Sequence, residues 1–161
     1  MMADYNESGW RLPPRAGPKP QTTHPTRDRP EPHKQLTQNA PAALQQDLFN
    51  RAVTLPSVRI GRSIVSVPGA RAWHLNAADA KGPPQAFQAG TEFAHIHPSA
   101  DGSLHMTLPP ALYAEVLEKN WGEPHPISGT MLVFGPRDEA ELETVWRLLQ
   151  ASHAYAQGHT L

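Results

Sequence analysis

The stretch Thr91–Leu108, "TEFAHIHPSADGSLHMTL", constrains the fold more than any other part of this chain. Apolar and polar residues alternate on both sides of a Gly-bearing bend, the pattern of two antiparallel strands. Side chains alternate along a strand, so His95 and His97 share one face with Phe93, while Ala94 and Ile96 share the other. "SADGS" suits a three-residue loop, with Ala100 and Asp101 in a type I turn and Gly102 in the left-handed region. That register sets Ser99 opposite Ser103, His97 opposite His105 and His95 opposite Thr107. All three imidazoles then leave the same face, with directly opposed Cβ atoms about 5 Å apart.

Three imidazoles on one face suit two kinds of chemistry. They can act as neutral bases and hydrogen-bond donors that titrate near neutral pH. They can equally ligate Zn, Fe or Cu in a three-histidine centre. No carboxylate of the hairpin has the register of a fourth ligand: Asp101 lies at the turn tip and Glu92 alternates away from the histidines. Ordinary packing is the alternative for any single histidine. Three on one face, with His125 in "GEPHP" as a fourth, favour a site.

The elements around the hairpin define the class. Residues 1–38 hold seven prolines (Pro13, Pro14, Pro18, Pro20, Pro25, Pro30 and Pro32) and few apolar side chains. The segment is therefore expected to be a disordered or polyproline-II tail. A helix is expected over "NAPAALQQDLFNRAV", with Asn39 as cap and Leu44, Leu48, Phe49 and Ala52 on one face. Short strands follow in "SVRIGRSIVSVPGARAWHL", where Pro68–Gly69 signals a type II turn. "PPALYAEVLEKNW" carries the apolar stripe Leu112, Val116, Leu117 and Trp121. "GTMLVFG" is a buried strand. "PRDEAELETVWRLLQASHAYA" is the clearest helix, with Asp138 and Glu141 as a capping box. The order predicts one α+β domain over residues 39–161, an antiparallel sheet of about five to six strands with helices packed on one face.

Charge and composition exclude several functions. A net charge of -1 gives no field that would gather nucleic acid or an anionic membrane, and the region beyond residue 40 is acidic. The chain has no cysteine, which removes disulfides, thiolate metal sites and a cysteine nucleophile. No apolar run reaches the length of a bilayer span, and the first residues lack a signal-peptide pattern. A cytoplasmic location is the default expectation. No Gly-rich nucleotide loop or G-x-S-x-G elbow is present. The expected partner is a small molecule, with no nucleic acid and no membrane; the oligomeric state is open.

"EFAHIHPSADGSLHMTL", "EVLEKNWGEPHPISG" and "TMLVFGPRDEAELETVWRLLQAS", taken in order, resemble the fungal bioluminescence luciferase family and its luciferase-like relatives. The resemblance covers about residues 91–156 and sets His95, His97, His105, Trp121, His125 and Arg137 at motif positions. It implies oxidation of a hydroxylated α-pyrone or related aromatic compound by O2, through a peroxide that loses CO2, with no cofactor expected beyond O2. A Zn, Fe or Cu ion on His95, His97 and His105 is the alternative. His97 or His105 would serve as base, with the other stabilising the anion, and His95 would orient them. His125 completes the candidate catalytic set. Arg137, Trp121 and Thr107 are the candidate substrate-binding residues; Arg137 could instead form a salt bridge near a helix start, to Glu141 or Glu123. The polar, Pro-rich beginning stands where the luciferases have an apolar segment, and the stretch after the W-G-x-x-H-P block is shorter. Light emission is therefore not expected. A non-catalytic module that binds a small ligand or a protein through the same face remains a further option.

Overall fold

A computed structural model describes residues 10–159. Six strands form one antiparallel sheet: β1 (Val58–Arg62), β2 (Arg71–Leu75), β3 (Glu92–Ile96), β4 (Leu104–Met106), β5 (Gly122–Pro124) and β6 (Met131–Val133), in the order β1-β2-β3-β4-β6-β5. Among the described residues three α-helices accompany it: α1 (Ala42–Ala52), α2 (Pro110–Glu118) and α3 (Glu139–Ala156). The α+β class expected from the element order is the class observed.

Strand alternation divides the sheet into two unlike faces. Trp73, Ala94, Ile96, Leu104, Met106, Met131 and Val133 enter the apolar core, where Leu48, Leu142, Val145, Leu148 and Leu149 of α1 and α3 pack on them. The opposite face carries His95, His105 and Leu132 in one cross-strand row. Each fully buried aliphatic or aromatic side chain of the core contributes about 1.5–3 kcal/mol.

The helix ends follow local chemistry with one exchange of parts. Asp138 caps α3 by accepting from the Glu141 backbone N–H at 2.8 Å. Glu141 does not complete the reciprocal box. Its carboxylate takes the backbone N–H and guanidinium of Arg137 instead. Pro41, not Asn39, occupies the cap position of α1; the Asn39 amide donates to the backbone oxygens of Gln35 and Asp101. In the β1–β2 hairpin the expected Pro68–Gly69 turn forms, with Gly69 at φ +89° and Ala70 N–H donating to Val67 O at 3.1 Å.

The Pro-rich segment departs from expectation. From residue 10 onward it lies on the domain as an ordered strap, and residues 1–9 of the expected tail fall outside the described residues. Leu12 is fully buried. The Trp121 indole donates to Pro13 O, the Lys119 ammonium to Leu12 O at 2.6 Å, and Arg137 to Ala16 O at 2.7 Å. Residues 21–36 double back on themselves through Thr23 N–H to Lys34 O and Leu36 N–H to Gln21 O. Proline lowers the entropy of the unfolded strap, so a modest set of such bonds suffices to hold it. Low local apolar content was the wrong test, because the bonds that dock this segment on the domain, from Leu12, Pro13 and Ala16, are made to residues about a hundred positions away.

Candidate functional site

The hairpin brings the three histidines together, though by a different register from the expected one. His95 stands opposite His105, and His97 N–H donates to Ser103 O at 2.9 Å, closing a five-residue loop over 98–102. The physical reason is Asp101. Its carboxylate folds back to accept the backbone N–H of Ser103 at 3.0 Å and the Ser103 hydroxyl at 2.5 Å, an Asx turn that widens the bend. Gly102 at φ +75° completes it. The register moved by two positions, and a shift of two keeps every side chain on its own face. All three imidazoles therefore still project from one side.

A second departure concerns Phe93 and Glu92. The pairing of β2 with β3 slips between Trp73 and His74, leaving Phe93 as an extra residue. This bulge turns Phe93 into the core, away from His95, and carries Glu92 to the histidine side. Glu92 is fully buried and its Oε2 lies 2.8 Å from His95 Nδ1. Its other oxygen accepts Ile64 N–H at 2.7 Å, and Ser63 donates to Oε2 at 2.9 Å. Asp101 likewise holds His97, with Oδ2 at 3.1 Å from Nδ1. Two carboxylates expected apart from the cluster, Glu92 by strand alternation and Asp101 by its place at the turn tip, thus orient it.

His33, on the strap, is the residue that sequence reasoning missed. It is buried, with Nδ1 at 3.1 Å from His105 Nε2, and its own Nε2 faces Glu123 Oε1 at 3.6 Å. Nothing in the periodicity of "PEPHKQL" signals this, since a single isolated bridge, Thr22 to Gln35, stands in for a strand pair. His125 lines the same hollow and meets the rings of His33 and His105 at 5.1 and 5.7 Å. Its Nδ1 accepts the backbone N–H groups of Ile127 and Ser128, so Nε2 carries the proton of the neutral ring and is a donor.

A cavity of about 400 Å³ opens over the cluster, with His95, His97 and His105 at its floor and Val65, Val67 and Gln88 among its walls. Strap residues Glu31, Pro32, His33 and Lys34 close another side. The remaining candidates named from the sequence sit elsewhere. Thr107 turns its hydroxyl to Ala86 O at 2.8 Å and towards Ser152 on α3. Trp121 is buried with its indole N–H on the strap. Arg137 grips Glu141, Gln38 and Ala16 O, the salt-bridge alternative rather than a wall of the cavity.

Burial works against the charged forms of His95, His105 and His125, while hydrogen bonds favour the charged forms of Glu92 and Asp101. Burial pushes the His105 pKa well below its ordinary value, and the neighbouring histidines His97, His95, His33 and His125 push the same way. Burial also lowers His95, partly opposed by its bond to Glu92. Burial drives Glu92 up, but the bonds from His95, Ile64 and Ser63 outweigh it and the carboxyl ends below its ordinary range. Asp101 ends low by the same balance, through His97 and Ser103. Burial lowers His125, helped by His33. The nitrogens His95 Nε2, His97 Nε2 and His105 Nδ1 converge, with His105 Nδ1 at 3.3 Å and 3.1 Å from the other two. Three convergent imidazole nitrogens can hold a metal ion.

The chain is similar to known proteins over part of its length. The family model described as "Luciferase domain" matches residues 90–152. Proteins named "Luciferase" from Armillaria gallica, Armillaria mellea and Neonothopanus nambi are each 34% identical over 40% of this chain. The match covers 27% of each relative, so the chain spans about a quarter of the length of the curated proteins it resembles. No solved structure matches. Among the described residues no helix is long and apolar enough to cross a membrane. The matched region begins just before β3, runs through the histidine hairpin and ends within α3, and on that stretch the chain is similar to the fungal luciferases.

Proposed function

We propose that this domain is an oxygenase-type enzyme, that its cavity takes a hydroxylated pyrone or related aromatic molecule, and that the histidine cluster is its reactive centre. The observation that carries the reading is the convergence of three buried ring nitrogens at the floor of an open hollow. Histidines that serve only packing have no reason to aim their nitrogens at one point beneath a cavity of ligand size. The relatives named luciferase supply the reaction class.

The residues suit a substrate that reacts as an enolate. The carbon of such an enolate adds O2 to give a peroxide anion, and that negative charge must be held away from water. His125 Nε2–H faces this task as a donor whose tautomer the backbone enforces. Gln88 also lines the hollow, but its amide is committed to His105 O at 2.9 Å, so it stiffens the floor. Val65 and Val67 supply apolar wall for a planar ring. Strap residues 31–34 shield the site from solvent, which strengthens every charge interaction within it.

Oxygen uptake by the full chain, measured against a panel of hydroxypyrones and hydroxylated aromatics, tests the proposal. At least one compound is expected to give uptake that falls about 100-fold or more in His105→Ala. His125→Ala is expected to retain substrate binding with a lower rate. Tight binding of a panel member with no uptake in any case would instead assign a ligand-binding module to the same cavity.

A further inference from the structure

We infer that His95 Nε2, His97 Nε2 and His105 Nδ1 are the ligands of a divalent first-row transition-metal ion, and that His33 and Glu123 on the strap side complete its outer sphere. The inference rests on the proposed active centre and states what the histidines do there.

The first argument is a count of protons. A carboxylate only accepts, so Glu92 requires a proton on His95 Nδ1 and Asp101 requires one on His97 Nδ1. In both neutral rings Nε2 is then a bare lone pair. Both lone pairs point at His105 Nδ1, at 3.3 and 3.1 Å. If His105 Nδ1 carried the proton, its Nε2 would be bare and would need the proton of His33 Nδ1, 3.1 Å away. His33 Nε2 would then be bare as well and would face the Glu123 carboxylate, lone pair against anion, in a buried position. A cation at the convergence removes the conflict. His105 Nδ1 becomes the third lone pair, its Nε2–H donates to His33 Nδ1, and His33 Nε2–H points at Glu123. Every proton then has an acceptor, and each ring that would bind the ion leans on a carboxylate directly or through one further histidine.

The second argument is spacing. Nitrogen ligands lie about 2.0–2.1 Å from Zn in a tetrahedral site, which sets neighbouring nitrogens roughly 3.3 Å apart. The separations of 3.1 and 3.3 Å at His105 Nδ1 fall at that value without rearrangement. Among the described residues no fourth side chain belongs to the group, so the remaining position faces the cavity, the open position that a catalytic site requires. Three neutral imidazoles suit Zn, Fe or Cu and disfavour Mg or Ca, which prefer oxygen.

The strap follows from this assignment. His33 touches the ion's ligand and not the ion, so it is a positioning residue, and the chain reaches the site from both ends: a strap at 31–35 and a sheet at 92–133.

The experiment is metal analysis of the full-length chain, followed by Co2+ titration of chelator-treated protein. Near one equivalent of Zn, Fe or Cu is expected after purification, and Co2+ is expected to restore one equivalent with visible d–d bands of a four-coordinate nitrogen site. His105→Ala should lose the bands while His125→Ala keeps them, because His125 is outside the ligand set. His33→Gln should bind Co2+ about 10–100-fold more weakly with the same spectrum, as expected for an outer-sphere partner. Because the wild-type spectrum is itself a readout, a variant that fails to fold leaves the test intact. A folded wild-type protein that shows no four-coordinate bands and holds no stoichiometric metal overturns the inference, as does unchanged binding in folded His105→Ala. Oxygen uptake by metal-free protein would overturn it while sparing the proposed activity; metal binding without uptake of oxygen would do the reverse.

Discussion

The two faces of one sheet are built from opposite materials. On the helical side, Trp73, Ile96, Leu104 and Met106 pack against α1 and α3, and almost any apolar set of the right volume would serve. On the other side, His95, His97, His105, Glu92 and Asp101 are also buried, yet each depends on a named partner at hydrogen-bond distance. Burial without water is favourable for the first group and unfavourable for the second unless every donor finds its acceptor. The difference teaches where each kind of information lies: stability comes from the helical side, and the proposed chemistry from the strap side.

The largest effect expected from breaking this contrast is in the core. Leu148→Ala, at a fully buried position on α3, is expected to cost about 2–5 kcal/mol in urea unfolding while the folded fraction keeps the spectrum and activity of the histidine centre. His105→Ala should invert the pattern, losing function with a smaller change in unfolding midpoint. Equal stability losses from the two variants would erase the proposed division of labour.

A middling effect is expected at the bend that joins the faces. Gly102→Ala puts a Cβ into a backbone at φ +75° and within 2.5 Å of the Gln45 amide, which itself holds Ala40 O and Ser99 O. The left-handed conformation alone costs about 1–2 kcal/mol. Thermal melts should register this, and histidine ring resonances should shift as Asp101 moves.

The smallest effect is a pH dependence at the strap anchor. Burial raises the Glu141 carboxyl, but the bonds and charge of Arg137 outweigh it and leave the group below its ordinary value. A carboxylate depressed in the folded state adds stability above its unfolded pKa and loses it as pH falls through the folded one. Melting temperature should therefore fall more between pH 5 and pH 2, roughly the window around and below a free glutamate, in the wild type than in Glu141→Gln. Because the Arg137 side chain is partly exposed, the difference will be modest. Parallel titration curves would detach this pair from the stability of the strap.

Local pattern carried most of the fold and part of the site. The strand pair around the bend, the long C-terminal helix and the Pro68–Gly69 turn follow short-range rules, and each is present, with the hairpin register moved by two positions. The three-histidine face was legible for the same reason, since an even shift of register leaves the faces unchanged. The bulge at Phe93 was not legible, because one extra residue against a neighbouring strand leaves no mark on the strand's own composition. Glu92 was therefore assigned to the wrong side of the sheet.

By itself, the sequence determined the class of fold, the hairpin, and the side of the sheet from which His95, His97 and His105 emerge, because those depend on periodicities within a few residues. Only the tertiary structure decided that the Pro-rich segment is a strap, that His33 and Glu123 join the cluster, and that Arg137 anchors rather than lines the cavity. Those contacts link positions about 70 to 120 residues apart, beyond the reach of any local periodicity.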